Sequence, residues 1–248
     1  CTGWREDPSQ LLKVDLIPDD KLFEAHTIRK KYLLGYANAQ LGRAFDGDTL
    51  TIGFARRSAT YKRAQLLFHD MDRLLEIGHG KIQVVFSGKA HPKDQGGKKI
   101  IQEIVSKAND ISGSIKIIFL PNYNMWLGKL ITSGVDLWLN TPLRPNEASG
   151  TSGMKATLNG VPNFSILDGW WEEGCKNGIN GWGIGDPNQS DDTIDAGHLY
   201  SVLENQIIPM YYDHREKWIR VMKQAIKTGV DFTAKRMISE YKTKYYEV

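Results

Sequence analysis

The sequence predicts a doubly wound α/β domain, a parallel β-sheet covered by helices on both faces. Three observations predict it. Short β-branched runs alternate with amphipathic helical segments from Asp19 to Asp168. Polar stretches follow three of those runs, where ligands bind in such sheets. The 248 residues, 41% hydrophobic and 25% charged, have the composition of a globular protein able to bury a sizeable core.

The elements follow in order. Asp19 to Gln40 reads as a helix with Asp19 or Asp20 as its cap and Leu22, Phe23, His26, Ile28, Tyr32 and Leu33 near one stripe. TLTIGFA is a short run that reads as a buried strand, and a long helix is expected from about Thr60 to Ile77. KIQVVFSG is a strand, DQGGKKIIQEIVSKAND a helix, SIKIIFLP a strand and NMWLGKLITSG a short helix. VDLWLNTP is a strand, MKATLNG a helix and VPNFSILDG a strand. The Gly-, Asn- and Trp-rich stretch after Asp168 reads as a long loop. Three helices finish the chain, from about Ala196, His214 and Thr233.

Composition narrows the function. A formal charge of +3 does not by itself call for nucleic acid or an anionic membrane. No run of about 18 apolar residues and no signal peptide is visible. The two cysteines, Cys1 and Cys175, offer neither a disulfide framework nor metal-ligand spacing, which favours a reducing compartment and a cytoplasmic location. HExxH, CxxC and GxSxG patterns are absent, so no metal is expected. A first residue of Cys rather than Met points to a processed product, a split gene product or a piece of something longer.

The segment RPNEASGTSGMKATLNG, residues 144–160, carries the most chemistry. Gly150 and Gly153 let backbone N–H groups approach a ligand, and Thr151 and Ser152 add hydroxyls before a helix. That combination suits a phosphate, although a capped turn would use the same residues. The Walker A and GxGxxG patterns both fail here. Lys155 is either a solvated helix lysine or, in the first turn of a helix and partly buried, an amine of lowered pKa able to form a Schiff base. Pyridoxal phosphate has an aldehyde for such an amine and a phosphate for the adjoining turn. A second stretch, ARRSATYKR, places Arg56, Arg57, Lys62 and Arg63 at a strand-to-helix turn, as a phosphate-capturing cluster or a solvated basic face. Trp170 and Trp171 can stack on a sugar or anchor a loop in the core.

EASGTSGMKATLNG, GFARRSATYKRAQLL, FSGKAHP and SILDGWWEEG with NGWGIG together resemble the carboxyl-terminal half of the α-glucan phosphorylases, the glycogen and maltodextrin phosphorylase family. The resemblance runs from about Asp19 to the end, and the GWW and NGW pieces are similar to the shorter archaeal and thermophilic bacterial branch. It implies one lobe of a two-lobed glycosyltransferase B fold. Residues 1–18 would connect to an absent amino-terminal lobe, and 19–248 would form the cofactor-binding domain with its terminal helices. Lys155 would be the Schiff-base lysine for pyridoxal 5′-phosphate. Gly150, Thr151 and Ser152 would hold the cofactor's phosphate with Arg56 assisting, and Tyr123 would lie against the cofactor. Ser152 replaces a glycine found in some members, a change that a backbone contact survives. Glu147, Ala148, Ser149 and Gly150 would line the glucosyl site. Arg57 and Lys62 would bind the substrate phosphate, making Lys155, Arg57 and Lys62 the catalytic set.

The implied reaction is reversible phosphorolysis of α-1,4-glucan by orthophosphate, giving glucose 1-phosphate. Related sugar-nucleotide glycosyltransferases often carry two glutamates eight positions apart, and Lys155 stands eight positions after Glu147. Without the other lobe, little activity is expected of the isolated chain. Two alternatives are a sugar-nucleotide-dependent glucosyltransferase lobe and a non-catalytic cofactor- or sugar-binding domain. No nucleic acid or membrane partner is expected. Trp218, Tyr245 and Tyr246 are candidates for an apolar face left open by a missing lobe, with self-association into a homo-oligomer as a consequence.

Overall fold

The computed structural model describes residues 2–41, 45–186 and 189–246, so Cys1 and the last positions of the expected 19–248 domain lie outside it. Among the described residues, six strands form one sheet: β1 (Leu50–Arg57), β2 (Ile82–Lys89), β3 (Lys116–Leu120), β4 (Leu137–Asn140), β5 (Asn163–Ile166) and β6 (Gly181–Ile184). All pairings are parallel and the order is β3-β2-β1-β4-β5-β6. This is the doubly wound α/β arrangement. Strand order reverses between β1 and β4, so the carboxyl ends of these two strands flank the crevice where such sheets take ligands.

Alternation along β1 sorts the two layers of core. Leu50, Ile52 and Phe54 face one side, where α2 (Met71–Gly78), α3 (Gln95–Asp110), α7 (Asp192–Val202) and α9 (Arg215–Asp231) bring Leu74, Ile104, Leu199 and Trp218. Ala55 faces the other side with Val85 and Trp138, covered by α1 (Asp19–Leu41), α4 (Met125–Gly134) and α5 (Thr151–Leu158) through Leu33, Leu127 and Ala156. The amino-terminal residues Pro8–Leu16 form a 3-10 helix whose Leu11 and Val14 pack with Ile226 of α9.

Five local readings need correction. First, Ile28 and Tyr32 are exposed, and the buried face of α1 is His26, Lys30, Leu33, Leu34 and Ala37. Second, the helix expected over 60–77 is two 3-10 turns, Thr60–Lys62 and Leu66–Phe68, followed by α2. Arg63 breaks it with a left-handed backbone, φ 44°, and Asp70 caps α2 by accepting the N–H of Arg73. Third, the stretch after Asp168 contains α6 (Trp170–Gly174) and strand β6. Its tryptophans are core: Trp171 Nε1 donates to the Trp182 carbonyl at 3.0 Å, and Trp182 stacks on Trp218. Fourth, Trp218 is fully buried, whereas Tyr245 and Tyr246 are exposed. Fifth, α5 starts at Thr151 rather than Met154.

The terminal helices are α7, α8 (Ile208–Asp213), α9 and α10 (Ala234–Tyr241), with Asp191 capping α7 and Thr233 capping α10. At the amino end of β4, Asp136 is buried among His26, Lys30, Thr51 and Tyr211. Among the described residues, no helix is long and apolar enough to cross a membrane.

Candidate active site

Two loops meet at the crevice. One follows Arg56 and Arg57 at the end of β1 and runs from Ser58 to Arg63; the other follows Asn140 at the end of β4 and runs from Thr141 to Ser149. They are stitched together along the backbone. Leu143 N–H donates to the Tyr61 carbonyl at 2.6 Å, and Thr141 Oγ1 donates to the carbonyls of Lys62 and Arg63 at 3.2 and 3.0 Å. Arg63 returns the tie through Nε to the Thr141 carbonyl at 3.1 Å and Nη2 to the Pro142 carbonyl at 2.9 Å. Its guanidinium also pairs with Asp192 and Asp195 of α7 at 2.6 and 2.7 Å.

Inside this clamp three charged side chains converge. Glu147 Oε2 receives Lys62 Nζ at 2.5 Å and Arg56 Nη1 at 2.8 Å, and all three residues are buried. Arg56 Nη1 also donates to Asn140 Oδ1. The Glu147 backbone N–H donates to Asp168 Oδ2 at 2.9 Å, tying the loop to the end of β5. Burial pushes the Glu147 carboxyl up, but Arg56 and Lys62 outweigh it and hold the pKa below the usual glutamate value. Lys62 Nζ lies 4.4 Å from the centre of the Tyr61 ring. Burial raises the Tyr61 phenol, and Lys62 and Arg57 together bring it below its usual value.

The start of α5 adjoins this cluster. Gly150 is the N-cap, left-handed with φ 87°, and no side chain caps the helix. A Cβ on Gly150 would sit 3.6 Å from Glu147 Cγ and 3.2 Å from the Trp170 ring. A Cβ on Gly153 would lie 2.8 Å from Asn163 Oδ1 and 3.0 Å from Trp170 Nε1, so this turn is pressed against its support. Ser152 Oγ, Trp170 Nε1 and both polar side-chain atoms of Asn163 are buried without a hydrogen-bond partner among the described residues. An uncapped helix start with an unpartnered hydroxyl, next to a carboxylate that holds two buried cations, is a donor set that fits an anion such as a phosphate.

The sequence-predicted residues divide into groups. Arg56, Lys62 and Glu147 form one cluster, although the sequence reading gave them to cofactor phosphate, substrate phosphate and sugar separately. Gly150, Thr151 and Ser152 open α5. Tyr123 is partly buried, and burial raises its phenol against an opposing pull from Arg56, which puts it in electrostatic reach of the cluster. Arg57 is exposed, as is Ala148, and Ser149 is half-buried with its carbonyl accepting the Trp170 N–H at 2.9 Å. Lys155 is exposed and is the fifth residue of α5. It lies beyond the first turn, so the reading of a partly buried amine at the positive end of a helix does not hold for this structure.

Trp170 and Trp171 are buried and serve the core. Asn140 and Asp168 went unrecognised in sequence, and Arg63, read there as a candidate phosphate cation, instead ties the two loops to α7. Neither Asn140 nor Asp168 lies in a motif that would have singled it out. A separate groove of about 370 Å³, lined by Asp15, Ile179, Lys217, Arg220 and Val221 among others, has no residue in common with the cluster.

Residues 1–172 match the family model for carbohydrate phosphorylases. The chain belongs to the carbohydrate phosphorylase family. It is 43% identical to a maltodextrin phosphorylase of Thermococcus litoralis, over 94% of this chain and 30% of the relative. It is 43% identical to a glycogen phosphorylase of Aquifex aeolicus, over 93% of this chain and 37% of the relative. A glycogen phosphorylase of Mycobacterium tuberculosis matches at 43% over 86% of this chain and 26% of the relative. The chain therefore spans about a third of the length of the curated phosphorylases it matches, and the crevice described above belongs to that part of the family's sequence.

Proposed function

We propose that this chain is the cofactor-bearing lobe of an α-glucan phosphorylase, acting in reversible phosphorolysis of α-1,4-glucan to glucose 1-phosphate. The observation that carries the reading is the uncapped start of α5, with its unpartnered Ser152 hydroxyl, packed against a buried Arg56–Lys62–Glu147 cluster at the switch point of the sheet. Gly150, Thr151 and Ser152 would hold the phosphate of pyridoxal 5′-phosphate, Arg56 would add charge, Tyr123 would lie beside the ring, and the Lys155 amine would hold the aldehyde carbon. When bound, that group supplies a phosphate with a second pKa of about 6, suited to exchanging protons at neutral pH.

The chain's own residues do the rest. Lys62, buried and fixed between Tyr61 and Glu147, offers a positioned cation for orthophosphate. Arg57, exposed beside Tyr61, would supply the second cation from the open side. Glu147, with the backbone of Ala148, Ser149 and Gly150, would accept and donate hydrogen bonds to a glucosyl ring. An amino-terminal lobe would close over the exposed Lys155 and Arg57, exclude water and place the glucan. The isolated chain is therefore expected to bind glucan weakly and to release little glucose 1-phosphate.

Titration of the purified chain with pyridoxal phosphate tests the reading. The expected result is a saturable near-ultraviolet or visible absorbance band that is lost in Lys155→Ala. A band that is unchanged in Lys155→Ala contradicts it.

A further inference from the structure

We propose that Glu147 is the internal counter-anion of the orthophosphate site, which phosphate must displace before the carboxylate can serve a sugar. The inference rests on the reading of Lys62 as a phosphate ligand given above, and adds to it an order of events.

The geometry is specific. Lys62 Nζ and Arg56 Nη1 both point at one oxygen, Glu147 Oε2, at 2.5 and 2.8 Å. The carboxylate stands where an anion held by these two cations would stand. All three side chains are buried, so water screens their charges poorly. Two buried cations without an anion would be costly, which explains why the carboxylate is drawn in. A phosphate brought to Lys62 meets the same carboxylate at contact distance, and the like charges repel. Phosphate therefore binds by taking over the cation, and Glu147 swings away.

The surroundings allow that movement. The Glu147 backbone is fixed by its N–H bond to Asp168, whereas the side chain packs against Gly150, which has no side chain of its own to block it. A freed carboxylate beside Gly150 is an acceptor for sugar hydroxyls. Phosphate and sugar would then support each other's binding through one side chain, because each favours the arrangement with Glu147 off the cations.

The test is the affinity for inorganic phosphate of the chain loaded with pyridoxal phosphate, in which the turn at α5 is already taken, by titration calorimetry, with Glu147→Gln and Lys62→Met alongside. Glu147→Gln should bind phosphate at least about tenfold more tightly than the parent, as expected when one carboxylate charge is removed beside a poorly screened anion. Lys62→Met should lose binding. If Glu147→Gln binds equally or more weakly while Lys62→Met loses binding, the counter-anion role is wrong and the phosphate site stands. If Lys62→Met binds as the parent does, or no variant binds phosphate, both fail. A second measurement needs no variant at position 147. In the parent chain with carbon-13-labelled glutamate carboxyls, phosphate should shift one glutamate resonance along its own binding curve. A titration that saturates with no glutamate carboxyl moving overturns the proposal.

Discussion

Asp136 and Glu147 are both buried carboxylates held by basic side chains, one at each end of β4, and they are built differently. Asp136 spends both oxygens. Oδ1 meets His26 Nε2 at 2.8 Å, and Oδ2 meets Lys30 Nζ at 2.6 Å, the Thr51 N–H at 2.7 Å and the Tyr211 hydroxyl at 3.3 Å. Its partners come from α1, β1 and α8, so it locks two helices to the sheet. Glu147 offers both cations a single oxygen, it sits on a loop, and the uncapped start of α5 lies beside it. A buried charge serves the fold when both of its oxygens are held by groups of regular elements. It serves a ligand when the cations can be handed to another anion.

The largest expected effect breaks the first cluster. Asp136→Ala strands Lys30 in the core and should cost about 3–5 kcal/mol in urea unfolding. Added phosphate should not restore it. Glu147→Gln comes next. In phosphate-free buffer it should lose about 1–3 kcal/mol by leaving Arg56 and Lys62 short of an acceptor. Unlike the first variant, it should regain stability as phosphate is added, because a ligand of the native state stabilises by mass action.

Acid sharpens the same comparison. Burial pushes the Asp136 carboxyl up, but Lys30 and His26 overcome it and bring the pKa from 3.8 to about 2. Its folded value lies below its unfolded one, so its contribution is complete above pH 3.8 and is lost as pH falls toward about 2. Asp136→Asn should flatten the dependence of unfolding free energy on pH in that window. Glu147 is also held below its usual value, so its contribution is lost on the acid side of the ordinary glutamate range. The smallest effect is expected at the exposed end of the chain. Tyr246→Ser should leave the unfolding midpoint within about 0.5 kcal/mol of the parent. Any loss of self-association, read by sedimentation at high concentration, would then be a surface effect.

Much of this was legible in the sequence. Five strands announce themselves as compact apolar runs, and the parallel order follows from their alternation with helices. The sixth is hidden because GWGI is half glycine, and its place is set by Trp182 stacking on a helix far along the chain. The helix expected through Arg63 fails for a tertiary reason. The left-handed backbone there is held by carbonyls of Thr141 and Pro142 and by two aspartates of α7, none of them local. At the site, residue types could be read but not their pairing. Nothing near Arg56 or Lys62 in sequence says that both will choose Glu147, and Asn140 is one more polar residue at a strand end until its contact with Arg56 is seen.

The loop and helix after β4 are proposed to hold a pyridoxal phosphate through Lys155. The direct measurement is reduction of the cofactor-treated chain with borohydride, followed by peptide mapping by mass spectrometry. One major modified peptide is expected, with the added mass on Lys155, suppressed when excess inorganic phosphate competes for the turn. Modification spread over the surface lysines, or an unmodified Lys155, would contradict it.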